Sequence, residues 1–376
     1  MVDHVVVLAG GTGTRLWPAS LRSRPKQFMD PGNGRTLIEN TLRRAVATGA
    51  DGELVVVTHV DQVGVLGRYG SIDRLDKPPV IIAEPQAKNT APAIALAISY
   101  LARGGNAQDQ TVLVLASDHV IAPTDAFIQD VESADRLARD GRLVTFGIPP
   151  SRPETGYGYI LAGGKVGPGR VVSAFKEKPD AITAQRYLDD GGYLWNSGMF
   201  VFRIGTIADE LQRLAPEVME PIGKLDWPLD ASQTAAAGAP VTVGDAWTIA
   251  QIYLRLPNVS IDRAVMEKSE CAAVVEAGFR WNDVGSWDEM AKLHEEQLLA
   301  ESGDPESAAG RGRPATVMVE AEGNFVHSDL PVAICGVDDL CVVVKNGCVL
   351  VAKRGRTQLV RKAVDRLESG GHGDLV

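Results

Sequence analysis

Short apolar runs alternate with longer amphipathic stretches through the first part of the chain. The runs Val5–Leu8, Leu54–Thr58, Val80–Ala83, Val112–Ala116 and Leu143–Gly147 have the length of buried strands. Between them, Leu37–Thr48, Ala91–Arg103 and Ala126–Asp140 have the length and pattern of helices. Strands alternating with helices of this length predict an α/β fold on a mostly parallel sheet covered on both faces. Ligands of such sheets gather at the carboxyl ends of the strands, often where strand order reverses.

Further along, the pattern changes. Gly156–Phe202 reads as shorter strands with turns, and the region from Ile204 to Tyr253 as helical, with an alanine-rich surface loop at Thr234–Ala239. Glu301–Pro314 is dominated by Gly, Ser, Pro, Asp and Arg, which predicts a linker. Beyond it, short strands are expected at Ala315–Val319, Phe325–His327, Val332–Cys335, Cys341–Val344 and Val349–Ala352, with a tight turn at Asn346-Gly347. Their spacing is compatible with a small β-solenoid or a β-sandwich and does not choose between them. Gln358–Leu367 reads as a short helix followed by a polar, frayed tail. The expected division is therefore residues 1–300, a linker over 301–314, and a β-rich domain with a terminal helix over 315–376.

Composition narrows the function. A chain of 376 residues predicts two domains, or one large domain with an appendage, and 45% hydrophobic with 23% charged residues is ordinary for a globular protein. A net charge of -10 argues against nucleic-acid or membrane-surface binding, so an anionic ligand must be held by local cations. Cys271, Cys335, Cys341 and Cys348 form no CxxC pair and read as reduced thiols of a cytoplasmic protein. The apolar run at the start stops at Gly10, and no run approaches 18 apolar residues, so neither export nor membrane spanning is expected.

The chemistry begins where the first strand ends. Leu8 and Ala9 lead into Gly10-Gly11-Thr12-Gly13-Thr14-Arg15, and Pro25-Lys26-Gln27-Phe28 follows with no acidic residue between Arg15 and Met29. A glycine-rich turn after a strand exposes several backbone N–H groups together, as a chain of phosphates requires. Arg15-Leu16 stands where a P-loop needs Gly-Lys and then Ser or Thr, and Leu16 stands where a dinucleotide fingerprint needs its third glycine. A tight turn alone would also explain the glycines. The acid-free basic segment behind them favours a nucleoside triphosphate.

Other segments carry weaker signals. Asp118, in Ser117-Asp118-His119, closes the run Val112–Ala116 and is placed to hold Mg²⁺ or to cap a turn. His119 reads as structural. Asp283, in Trp281-Asn282-Asp283-Val284-Gly285-Ser286-Trp287, is a second candidate carboxylate, with Asp262 as its competitor. Glu177 and Lys178, in Phe175-Lys176-Glu177-Lys178-Pro179, suit sugar hydroxyls and a phosphate, or plain solvent. Tyr157 and Gly158 would admit a sugar close to the backbone, and Asn196 could bond a hydroxyl. Glu84, Lys88, Asn89 and Thr90 precede a helix, where they would cap it or read a base.

Taken in order, AGGTGTRLWP, RPKQF, EPQAKNTAPAIALA, SDHVI, GYGYI, FKEKPD, YLWNSGMF, SIDRAVMEK and WNDVGSWDE closely resemble the mannose-1-phosphate guanylyltransferases, or GDP-mannose pyrophosphorylases, over roughly residues 5–290. The resemblance implies a Rossmann-like nucleotidyltransferase domain with a mixed, mostly parallel sheet, and a tail like the family's short left-handed β-helix. It implies that GTP and mannose 1-phosphate are joined into GDP-mannose and pyrophosphate. By that resemblance the loop from Leu8 to Arg15 would bind GTP together with Lys26, Glu84, Lys88, Asn89, Thr90, Ser117 and Asp118. Asp118 and Asp283 would bind Mg²⁺ or a similar divalent cation. Tyr157, Gly158, Glu177, Lys178, Asn196 and Asp283 would take the sugar phosphate. The residues expected to drive the reaction are Arg15, Lys26, Asp118 and Asp283. Ser117 stands where similar sequences often carry Ala, and Lys88 replaces the usual Arg, without its planar fork for bidentate contacts. Some relatives carry a fused isomerase domain; the short C-terminal part here implies a single activity. That β domain is also a candidate contact for a homo-oligomer.

Overall fold

The structure, a computed structural model, describes residues 1–11, 13–103, 105, 107–227, 241–242, 246–296 and 314–376. Thr12, the expected loop at Thr234–Ala239, and the expected linker apart from Pro314 lie outside the described residues.

The apolar runs pair side by side. Strands β1 (His4–Ala9), β2 (Leu54–His59), β3 (Val80–Glu84) and β4 (Thr111–Ala116) run parallel in the order β3-β2-β1-β4. A short β5 (Val120–Ala122) follows, then β6 (Leu143–Ile148), β7 (Tyr159–Val166), β8 (Gly169–Lys176), β9 (Tyr193–Arg203), β10 (Val241–Thr242), β11 (Ala272–Glu276) and β12 (Arg280–Asn282). All but β5 and β12 join one ten-stranded sheet, ordered β10-β3-β2-β1-β4-β9-β6-β11-β8-β7. Antiparallel β9, between β4 and β6, makes it the mixed sheet of a Rossmann-like domain.

Helices α1 (Leu37–Ala47), α2 (Val63–Tyr69), α3 (Thr90–Leu101) and α4 (Thr124–Arg139) connect the strands. Because strand side chains alternate, Val6, Val55, Ile82 and Val114 meet α3 on one face. Val5, Val7, Val56 and Leu115 meet α1 and α4 on the other. The Thr36 hydroxyl caps α1 by accepting the Glu39 N–H at 3.2 Å.

The region from 156 to 202 departs from its expected pattern of short strands. It holds two eight-residue strands, a helix α5 (Ala181–Asp190) and the eleven-residue β9. Asp180 caps α5 through the Thr183 N–H at 2.8 Å, and left-handed Gly191 ends it. This helix buries fully only Ala184, so it leaves little apolar periodicity to read. Helices α6 (Ile204–Leu214), α7 (Pro216–Ile222) and α8 (Ala246–Tyr253) follow β9, and α9 (Trp287–Glu295) follows β12.

The C-terminal strands are β13 (Thr316–Val319), β14 (Phe325–Ser328), β15 (Val332–Cys335), β16 (Leu340–Lys345) and β17 (Cys348–Lys353). Thr316 faces Val332 and Phe325 faces Cys341, both in parallel and both one 16-residue step apart. Parallel pairing at a constant step is the stacking of a β-helix coil, which excludes a sandwich. β16 and β17 close as a hairpin on Asn346-Gly347, both at positive φ. Helix α10 (Val360–Ser369) then packs against Thr14–Leu16. The expected frayed tail is instead docked: Trp17 Nε1 donates to the Leu375 carbonyl at 2.7 Å, and Val376 is buried with Leu16 and Trp17. Among the described residues, no helix is long and apolar enough to cross a membrane.

Candidate active site

Strand order reverses at β1, with β2 and β3 on one side and β4 on the other, so its carboxyl end opens a crevice. Leu8 is in register with Ala116, and its carbonyl accepts the Ser117 N–H at 3.1 Å. The glycine-rich turn and the Ser117-Asp118 turn therefore leave the sheet side by side. Gln27 fastens the first of them: its Nε2 donates to the carbonyls of Ala9 and Gly11, each at 3.2 Å, and to Gln62 Oε1 at 2.8 Å. A Cβ on Gly13 would lie 2.9 Å from Lys26 Cβ, whereas one on Gly11 would meet nothing within 4 Å. Gly13 lets Lys26 pass, and Gly11 faces open space.

A cavity of about 360 Å³ lies in front of this loop. Gly13–Leu16, Lys26, Asp118, Asp283–Gly285 and Arg361 line it. Lys26 is buried, and its Nζ donates to Asp118 Oδ2 at 2.8 Å and to the Asp283 carbonyl. Burial alone would raise the Asp118 carboxyl, but Lys26, helped by His119, holds it below the ordinary carboxylate range. The expected phosphate cation thus also ties together the two aspartate turns.

The Asp283 turn is built by its neighbours. Asn282 Oδ1 accepts the Val284 N–H at 2.6 Å, with Val284 in a left-handed conformation, while Asn282 Nδ2 donates to Glu289 Oε2 at 2.8 Å. Ser286 caps α9 through the Glu289 N–H at 3.2 Å. Asp283 Oδ1 accepts the Tyr157 hydroxyl at 2.5 Å, and Tyr157 packs edge-on against Trp195 and Trp281. His119 is buried beside Trp281: its Nδ1 accepts the Trp281 Nε1–H at 3.1 Å, and burial lowers its pKa.

Tyr157 leads directly to a second cluster. The Gly158 carbonyl accepts the Asn196 N–H at 2.8 Å, and a Cβ on Gly158 would lie 2.7 Å from Glu177 Oε2. Asn196 Oδ1 accepts the Thr145 hydroxyl at 2.9 Å, and its Nδ2 donates to Asp262 Oδ1 at 2.8 Å. Lys178, at positive φ, reaches back to Glu177 Oε1 at 2.7 Å. Asp262 belongs here and not beside Asp118; burial, then the Glu177 charge, pushes its carboxyl up to about 6.

Glu84 lies on the other side of the loop, its Oε2 3.6 Å from where a Gly10 Cβ would stand. It accepts the Tyr253 hydroxyl at 2.9 Å, and burial pushes it up to about 7. Asn89 Oδ1 accepts the Thr90 N–H at 2.9 Å, and Thr90 Oγ1 accepts the Ile261 N–H at 2.9 Å. The neighbouring Lys88 is half-buried, and its carbonyl accepts the Val259 N–H at 3.3 Å.

Among the described residues no cluster of three or more acidic, His or Cys side chains forms a metal cage. Two hard carboxylates on one phosphate-sized cavity nevertheless fit a cation such as Mg²⁺, which binds one or two carboxylates and takes its other ligands from water and phosphate. The sequence pattern did not single out Gln27's fastening role, Tyr253, or Arg361, which also lines the cavity. Arg361 sits in the C-terminal domain, where nothing local marks it.

The Nucleotidyl transferase family model matches residues 4–299, and the MannoseP isomerase/GMP-like beta-helix domain matches residues 315–367. The xanthan biosynthesis protein XanB of Xanthomonas campestris pv. campestris is 37% identical over 98% of this chain and 74% of its own length. The mannose-1-phosphate guanylyltransferase of Escherichia coli K12 is 36% identical over the same shares. A crystal structure from Thermus thermophilus, named mannose-1-phosphate geranyltransferase, superposes with a TM-score of 0.80 at 32% identity, covering 98% of this chain and all of that one. A chain matched at this level along nearly its whole length, with its glycine loop, paired aspartates and β-helix tail, belongs to the mannose-1-phosphate guanylyltransferase family of nucleotidyl transferases.

Proposed function

We propose that this protein transfers GMP from GTP to mannose 1-phosphate, giving GDP-mannose and pyrophosphate. One observation carries the reading: consecutive residues Tyr157 and Gly158 join the Asp118–Asp283 cavity to the Glu177–Asn196 cluster. A phosphate-sized pocket and a hydroxyl-binding cluster back to back suit a sugar phosphate meeting a nucleotide.

In this reading Glu177, Asn196, Tyr157 and Gly158 hold the sugar, and Lys178 exchanges Glu177 for the sugar's phosphate. The loop from Leu8 to Arg15, with Lys26 and Ser117, holds the nucleotide phosphates, while Glu84, Lys88, Asn89 and Thr90 face the base. A phosphate oxygen of mannose 1-phosphate attacks the α-phosphorus of GTP in line, and the bond to the β-phosphate breaks opposite it. That oxygen is already ionised near neutral pH, so no strong general base is needed. Asp118 and Asp283 would hold the divalent cation, which when bound neutralises phosphate charge. Arg15 and Lys26 offset the charge that builds on the leaving pyrophosphate.

The test is pyrophosphate release with Mg²⁺, crossing GTP, ATP, UTP and dTTP with mannose and glucose 1-phosphates. Release with GTP and mannose 1-phosphate, abolished by EDTA, is expected. Turnover with another pair would keep the reaction class and overturn the assignment of base and sugar.

A further inference from the structure

We propose that Arg361, on helix α10 of the C-terminal β domain, is a substrate-contacting residue of this site and grips the half of the triphosphate released as pyrophosphate. The proposal rests on the guanylyltransferase reading above and extends it to a residue outside the nucleotidyl transferase region.

Three observations carry it. First, Arg361 lines the cavity formed by Gly13–Leu16, Lys26, Asp118 and Asp283, although it lies 76 positions beyond Gly285 in the chain. Its helix is held there: Val360 and Val364 are buried in one cluster with Leu16 and Trp17, Arg22 pairs with Glu368 at 2.5 Å, and Trp17 bonds the Leu375 carbonyl.

Second, the charge balance of the cavity depends on it. Asp118 and Asp283 offset Lys26 and Arg15, which leaves the described lining neutral without Arg361 and positive with it. Lys26 is already committed to Asp118, whereas Arg15 and Arg361 are exposed and have no carboxylate partner among the described residues. In a chain of net charge -10, two guanidinium groups on one small cavity, neither with a carboxylate partner among the described residues, suit a phosphate.

Third, the two ends of the substrates have other hosts. Glu84 lies beyond Gly10, and Glu177, Asn196 and Asp262 lie beyond Tyr157, and none of them lines this cavity. What remains for the Arg361 side is the part of GTP that enters neither half of GDP-mannose.

The experiment measures equilibrium binding of GTP, inorganic pyrophosphate and GDP-mannose to the full-length protein, alongside steady-state kinetics in both directions. Wild type is compared with Arg361→Ala, Arg361→Lys and, as a control for charge on the same helix, Lys362→Ala. Arg361→Ala should weaken GTP and pyrophosphate about tenfold or more, the effect of losing one charge-assisted hydrogen bond. GDP-mannose affinity and thermal stability should hold, Arg361→Lys should recover part of the loss, and Lys362→Ala should match wild type. Unchanged GTP and pyrophosphate affinity in Arg361→Ala overturns the proposal. So does an equal loss for all three ligands with a lowered melting temperature, which would make the residue structural. A wild type that binds pyrophosphate but never forms GDP-mannose refutes the guanylyltransferase reading instead, and the pyrophosphate comparison still decides the role of Arg361.

Discussion

Gly158→Ala adds one methyl group at the joint between the two halves of the site. Gly158 is not at positive φ, so its backbone would accept alanine and any effect is steric. The new Cβ would stand 2.7 Å from Glu177 Oε2, 3.3 Å from Asn196 Cβ and 3.4 Å from Phe175 Cε1. Restoring a contact of 3.4 Å requires the carboxylate to retreat by roughly 0.7 Å. Glu177 is not free to do so, because it is buried and its other oxygen holds Lys178 at 2.7 Å. Overpacking of this kind costs about 1–3 kcal/mol of stability. A reacting group displaced by about 1 Å can cost roughly a hundredfold in rate, so kcat/KM for mannose 1-phosphate should fall between about tenfold and a hundredfold. The KM for GTP should stay within about twofold, since Gly158 does not line the phosphate cavity. Steady-state kinetics with each substrate varied in turn, on protein whose melting curve remains cooperative, decide the matter. Wild-type kcat/KM for mannose 1-phosphate would refute the packing argument, and equal losses for both substrates would refute the division of the site.

Lys26→Met should reduce turnover about 10²–10³-fold and move the acid limb of the pH–rate profile upward, because Lys26 holds the Asp118 carboxyl low; a limb that stays in place separates Asp118 from that titration. Asp283→Asn should lose at least about a hundredfold in turnover while Mg²⁺ no longer protects the protein against heat, and full activity would remove Asp283 from the metal site. Glu84 titrates near 7 when folded and near 4.5 otherwise, so between those values the folded state holds a proton that the unfolded chain has lost. Stability therefore falls as pH rises through that window, by on the order of 3 kcal/mol at most. Glu84→Gln, which can still accept from Tyr253, should melt above wild type at pH 8 and converge with it towards pH 4.5; equal melting at pH 8 would count against a charged, buried Glu84.

How much could be read from the sequence varies with how local each feature is. Strands β1 to β4 were legible to within a residue or so, because each is buried on both faces and bounded by turn chemistry. The glycine loop, the capped start of α3, and both aspartates announced themselves through short segments whose neighbours build them, as Asn89 caps the Thr90 N–H and Asn282 builds the Asp283 turn. Helix α5 escaped because it lies on the surface with one fully buried side chain. Spacing alone left the β-helix open beside a sandwich, and the family resemblance pointed to it, because its 16-residue step occurs in two pairings and is then broken by the β16–β17 hairpin, too few turns for a period to emerge.

What chain order alone determined was the inventory: a phosphate loop, two carboxylates, a sugar-side cluster and a β-rich tail. What only the tertiary structure decided was their grouping. Lys26 reaches both Asp118, 92 positions away, and Asp283, 257 positions away, Asp262 joins Asn196 and not Asp118, and the tail docks on Trp17 to bring Arg361 into the cavity. Each of these contacts depends on how strand order and packed faces close the chain on itself. No window of neighbouring residues contains that information.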